Sequence, residues 1–274
     1  MSINFLLRRS IRVLVFTAFV TACGKAEDKI TTTAPVVPPA ETLSISVDSL
    51  KSSDDSANLV GTNHTTAYIT VSLTALVTSA VLAVPYAAVT AALKQTASKQ
   101  ADGTFKWSFD FNAANADYQT GLIGKRGAGE TGGTGASFEF YVTRTPADAA
   151  GCCTGFQWLN GSYASSTNVG SWIVNDHESP TNLSALRTVD WNYPSETSKT
   201  LTITHKRDDE EWKAGGFVEW VESDSTRKMT IDKNPSDETK IVVNWDATTK
   251  AGSMVKESGE TVCWDTAFAN VECP

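Results

Sequence analysis

Thr104-Phe105-Lys106-Trp107-Ser108-Phe109-Asp110-Phe111 decides the fold. Large aromatics alternate with polar residues, and a period of two puts them on opposite faces of a strand. Ala116-Asp117-Tyr118-Gln119-Thr120 continues after a turn at Asn112 to Asn115, and the same alternation returns at Phe138, Phe140 and Val142. Further apolar centres follow at Phe156-Trp158, Trp172-Val174, Val189-Trp191, Leu201-Ile203, Val218-Trp220, Met229-Ile231, Ile241-Val243-Trp245 and Val262-Trp264. Short polar or Gly/Asn/Asp/Pro turns separate these runs, and Asn160-Gly161 is a hairpin signal. Connections this short force antiparallel neighbours. Residues of about 103–266 therefore read as a meander of about ten or eleven strands. A sheet that wide curls or closes, which predicts a strongly curved sheet or an up-and-down barrel.

Upstream the period changes. Thr65 to Leu93 contains no charged residue. Ile69, Leu73, Val77, Ala80, Val81 and Val84 recur at helical spacing, which predicts a helical segment over about 64–97 with that face in the core. Thr62 or Asn63 caps its start, and Pro85 kinks or ends it, leaving a second short helix from about Tyr86 to Thr96. The stretch is long enough to span a membrane. Its threonines, serines and proline favour a core helix instead. The fold class is thus mainly β with an N-terminal apolar helix (α+β), the meander packed on that helix within one domain, 43–274. Residues 24–42, with Pro35, Pro38 and Pro39, read as a flexible tether with too little apolar surface to fold.

The first residues carry an address. Arg8, Arg9 and Arg12 precede Val13-Leu14-Val15-Phe16, and the segment ends at Val20-Thr21-Ala22-Cys23. A basic start, a short apolar core and small residues form a secretory signal. The closing cysteine resembles the lipobox of bacterial lipoproteins. The resemblance implies cleavage after residue 22, acylation of Cys23, and a cell-envelope protein attached to a membrane through lipid. It also implies the outer membrane, because Gly24 rather than Asp follows the cysteine. The order of lipid, tether, apolar helix and β-meander is similar to that of bacterial envelope lipoproteins.

After cleavage the chain would hold 20 basic and 31 acidic residues, a net charge of −11. That excludes a phosphate-binding surface built on clustered Lys and Arg, and so a nucleic-acid partner. An exported chain forms disulfides. Besides Cys23 the cysteines are Cys152, Cys153, Cys263 and Cys273. Cys263–Cys273 is an easy local closure, leaving Cys152 and Cys153 as a strained vicinal bridge or reduced.

Motif matches fail on context. Gly127-Ala128-Gly129-Glu130-Thr131-Gly132 fits G-x-G-x-x-G, but a strand follows where a dinucleotide site needs a helix. Asp176-His177-Glu178 reads as an exposed turn. Asp232-Lys233-Asn234 starts like a calcium loop but has Asp237 where glycine is required. No cofactor, metal or catalytic signature emerges. Trp107, Trp158, Trp191, Trp220, Trp245 and Trp264 are separated by 51, 33, 29, 25 and 19 residues, which is no repeat. Core filling is the plain reading of these residues. The functional one is an aromatic cavity, with Trp107, Phe109, Trp158, Trp191, Trp220 and Trp245 as ligand-binding candidates.

Two functions follow. The first is a non-enzymatic module binding an apolar or amphipathic ligand, or another envelope protein, on the aromatic face. The second is a structural or adhesive surface module acting through loops such as Gly121 to Ala136 or Pro146 to Gly155. A hydrolase built on paired carboxylates has no sequence signal beyond the number of acids.

Overall fold

The computed structural model describes residues 33–51, 61–113, 116–127, 135–147, 153–176 and 183–274. Its frame is one antiparallel sheet of fourteen strands in strict sequence order. They are β1 (Ser98–Lys99), β2 (Phe105–Ala113), β3 (Ala116–Arg126), β4 (Ala136–Thr145), β5 (Phe156–Ala164), β6 (Val169–Asn175) and β7 (Ala185–Ser195). Then come β8 (Ser198–His205), β9 (Phe217–Ser223), β10 (Thr226–Asp232), β11 (Ile241–Asp246), β12 (Gly252–Val255), β13 (Thr261–Trp264) and β14 (Asn270–Val271). The meander expected from alternation is present. The additional strands β1, β12 and β14 are two to four residues long, too short to show a period.

The sheet is not a closed barrel: β1 pairs only with β2, and β14 only with β13. The expected up-and-down barrel is corrected on this point. Closure needs a ladder between first and last strands, and among the described residues the two-residue strands that end the sheet carry none.

One face of the sheet is buried along its length. Phe105, Trp107, Phe109, Leu122, Phe138, Phe140, Trp172, Val189, Trp191, Leu201, Ile203, Trp220, Met229, Val243, Trp245 and Trp264 belong to a single apolar cluster. Glycines make room for the indoles. Gly161 pairs across strands with Trp172, Gly170 with Trp191, and Gly252 with both Trp245 and Trp264. A Cβ on Gly170 would lie 2.3 Å from Trp191, and one on Gly161 would lie 2.7 Å from Trp172 and 2.0 Å from the Ser171 carbonyl oxygen. These glycines let a flat indole lie over the neighbouring backbone. Asn160-Gly161 is therefore mid-strand in β5 rather than a hairpin turn, and the β5–β6 reversal falls at residues 165–168.

Residues 33–42 depart from the tether expectation. Pro35, Val37, Pro38, Ala40, Thr42 and Leu43 are buried, and Ala40–Leu43 forms a 3₁₀ turn. The segment crosses the strands. The Arg126 guanidinium of β3 donates to the Ala34 carbonyl, the Trp172 indole of β6 to the Thr42 hydroxyl (3.3 Å), and the Trp245 indole of β11 to the Ser49 hydroxyl (3.1 Å). Proline and alanine bury apolar surface at little side-chain entropy cost, so a segment unable to fold alone docks on a prepared apolar face. A second 3₁₀ turn, Asp48–Leu50, ends with Leu50 fully buried.

The helix α1 runs from Asn63 to Leu93, with Thr62 as N-cap accepting from the Thr65 amide. Pro85 does not end it. The axes of Asn63–Ser79 and Val81–Leu93 differ by 63°. The bend lies about one turn before Pro85, whose missing N–H and ring disturb the carbonyl four residues earlier. The buried face is Ala67, Val71, Ala75, Thr78, Leu82, Ala88 and Val89. This corrects the sequence-based face: Ile69, Leu73 and Val77 point outward, about half exposed. A helix apolar on both sides gives spacing that does not say which side packs. α1 touches β2 and β3 near one end of the strand order and β12 and β13 near the other. No single helix among the described residues is long and apolar enough to cross a membrane.

Candidate functional site

The aromatic candidates sit in the core and do not converge on one opening. Trp107, Phe109, Trp158, Trp191, Trp220 and Trp245 are all buried and spread from β2 to β11. They pack on other rings: Trp107 on Phe138 (6.3 Å between centroids), Phe109 on Phe140 (6.3 Å), Trp158 on Phe156 (6.3 Å), Trp191 on Trp172 (6.0 Å) and Trp220 on Trp245 (5.3 Å). Buried indoles need acceptors. Thr42, Ser49, the Lys250 carbonyl and Glu222 serve Trp172, Trp245, Trp264 and Trp220. The Trp191 indole N–H has no partner.

An opening of about 940 Å³ lies on loops at one end of the strands. Its walls are the first 3₁₀ turn (Pro39, Glu41), the β5–β6 turn (Ser166, Thr167, Asn168) and the end of β7 with its turn to β8 (Tyr193, Pro194, Ser195, Glu196), with Lys199 lining it from β8. A register shift between Asn192 and Ser195 bulges β7 here, and a proline in a strand is tolerated at such a bulge. Asn168 holds the walls together. Its φ of 53° lies in the left-handed region that Asn tolerates. Its carbonyl accepts from the Tyr193 amide (3.0 Å), and its side-chain oxygen from the Tyr163 hydroxyl (3.0 Å). Burial, with Glu222 and Glu41 nearby, pushes the Tyr193 phenol well above its ordinary range, so it stays neutral. The groove thus offers hydroxyls, amides, an aromatic floor, two carboxylates and one ammonium. Such groups hydrogen-bond an extended polar ligand. In the sequence, Asn192-Tyr193-Pro194-Ser195 breaks the strand alternation, the one signal that pointed here.

A smaller hollow, about 440 Å³, lies over β2–β4 between Lys106, Gln119, Gly121, Ile123, Tyr141 and Thr143. Of the loops expected to act at the surface, 121–126 is strand β3, and residues 128–134 and 148–152 lie outside the described residues.

The opposite strand ends hold buried charge. Asp176 is buried and pairs with Arg207, which corrects the exposed-turn reading of Asp176; His177 and Glu178 lie outside the described residues. Asp232 is buried and pairs with Lys240 (3.0 Å) rather than opening a calcium loop. Arg187 faces His205 across the β7–β8 ladder, and its Nε and Nη1 lack partners. The His205 ring stacks on Trp212, 4.2 Å between centroids. Burial, then Arg187, pulls its pKa down to about 4 against Asp209. His205 is therefore neutral at physiological pH, and its 3.9 Å approach to Asp209 is no ion pair there. Among the described residues no group of three His, Cys, Asp or Glu could hold a metal.

Cys263 and Cys273 form the expected disulfide, with Cα atoms 5.3 Å apart. Cys153 is buried and disulfide-bonded. Cys23 and Cys152 lie outside the described residues. Comparison with protein-family models, with curated proteins and with solved structures finds no match to this chain.

Proposed function

We propose that this chain is a lipid-anchored protein of the bacterial cell envelope, an interaction module acting through its loops rather than a carrier enclosing an apolar ligand. The working surface is the groove between the first 3₁₀ turn and the β5–β6 and β7–β8 turns. One observation carries the choice: residues 33–50 cover the aromatic face on which an apolar ligand would have to sit. In this reading the open sheet curls around that segment, with α1 seated between its two ends. The groove's hydroxyls, amides and Tyr193 suit a hydrogen-bonding polymer, a peptide or a glycan. Acyl groups on Cys23 would supply the membrane attachment; two chains suffice for stable anchoring.

Two measurements test this. Native mass spectrometry after gentle extraction should find the interior unoccupied, and a stoichiometric apolar ligand would sink the reading. Photocrosslinkers at Val169 and Glu196 on whole cells should each capture the same envelope component. Capture from position 106, over the other hollow, should give nothing comparable. Globomycin should block processing, and fatty-acid label should appear on Cys23.

A further inference from the structure

We infer that the outward face of α1 lies on the lipid surface of the membrane, a second contact beside the acylated cysteine; this rests on the anchoring proposed above. Ile69 (50% exposed), Leu73 (56%), Leu76 (47%) and Val77 (47%) form one stripe at i, i+4, i+7 and i+8. The stripe is opposite the buried Ala67, Val71, Ala75 and Thr78. A helix facing water places charges on its outer side. This one has none in 31 residues, in a chain that is 20% charged.

Two threonines on α1 keep their hydroxyl donors inside the helix. The Thr66 hydroxyl donates to the Thr62 carbonyl (3.1 Å) and the Thr90 hydroxyl to the Tyr86 carbonyl (2.8 Å). Their donors are satisfied within the helix, as a bilayer requires. Tyr86, 38% exposed beyond the bend, is the residue type that sits at a headgroup boundary. Because Val71 and Leu82 are fully buried in the protein, the helix lies along the surface rather than spanning it.

The chain's own geometry selects lipid as the occupant. The described residues begin at Thr33, and the Pro35 ring lies beside Gly124 of β3; β2 and β3 are strands that α1 touches. Ten residues separate Cys23 from Thr33, a reach of at most about 35 Å. An acyl chain on Cys23 therefore holds Thr33 within that range of the bilayer, at the side of the sheet where α1 meets β2 and β3. A second copy is a poorer fit. Four half-exposed side chains present on the order of a few hundred Å², against about 800 Å² per partner in a stable dimer. Lipid needs no complementary shape. The helix is uncharged while the chain after cleavage would be acidic (20 basic and 31 acidic residues, −11), so this face carries no charge for anionic headgroups to repel.

The test uses the full protein purified from envelopes and reconstituted in phosphatidylcholine vesicles. A photoreactive p-benzoylphenylalanine replaces Leu73, Leu76 or, as control, Lys256. Phosphatidylcholine adducts are expected at positions 73 and 76, several-fold above position 256. Adducts to a second copy or to another protein, or yields no higher than at 256, overturn the inference. Fatty-acid label on Cys23 is scored separately. Label without lipid adducts at α1 fails only this inference. Adducts without label fail only the anchoring.

Discussion

The buried face of the sheet and the outward face of α1 are both apolar, yet only the first is covered. On the sheet, cross-strand glycines seat the indoles, and residues 33–50 close over them with matched hydrogen bonds. On α1, Leu73 and Leu76 are about half exposed while Val71 and Leu82, on the same helix, are fully buried. Apolar content alone therefore does not say what is core. A core position has partners fitted to its shape and its polar tip.

The sharpest way to break this comparison is to empty the covered side. Trp172→Ala removes a fully buried ring and should cost about 3–5 kcal/mol in urea unfolding; a loss under about 1 kcal/mol would mean the face is not tightly filled. A within-helix pair comes next. Leu82→Ala should cost about 2–5 kcal/mol, while Leu73→Ala should stay within about 0.5 kcal/mol in detergent-free buffer. Equal costs would erase the distinction between the two faces.

Acid probes the polar end of the covered face. Folded His205 titrates at about 4, whereas an unfolded histidine titrates near 6.5. Between those values the unfolded chain binds the extra proton, so stability should be flat above pH 6.5 and fall as pH drops toward 4. The full span is at most about 3 kcal/mol. His64 is shifted in the same direction by burial, so His205→Gln should reduce the slope without abolishing it; an unchanged slope would contradict the assignment. Gly170→Ala overfills the covered face instead, where a methyl meets Trp191 and the Ser162 carbonyl oxygen. Overpacking of this kind costs about 1–3 kcal/mol, read as a lower urea midpoint at constant m.

Strand existence was legible because Phe105, Trp107 and Phe109 repeat with a period of two, and so was the Cys263–Cys273 closure. Three features were not. Asn160-Gly161 carries a turn signal, but Trp172, opposite it on the next strand, makes Gly161 a seat rather than a corner. Pro35 and Val37 look like a tether because the strands that bury them, β3 among them, lie far along the chain. Ile69 and Leu73 are indistinguishable by spacing from Val71 and Ala75. The groove was harder still, since Asn168, Tyr193 and Glu41 meet only after three turns assemble. Local pattern reports period; it does not report what arrives from elsewhere in the chain.

The central claim is that residues 33–50 occupy the aromatic face. Solution NMR of the indole protons tests it most directly. The account predicts cross-peaks from the Trp172 indole N–H to Thr42 and from the Trp245 indole N–H to Ser49, with both protons slow to exchange with deuterium. Fast exchange and cross-peaks to a bound apolar molecule instead would contradict it.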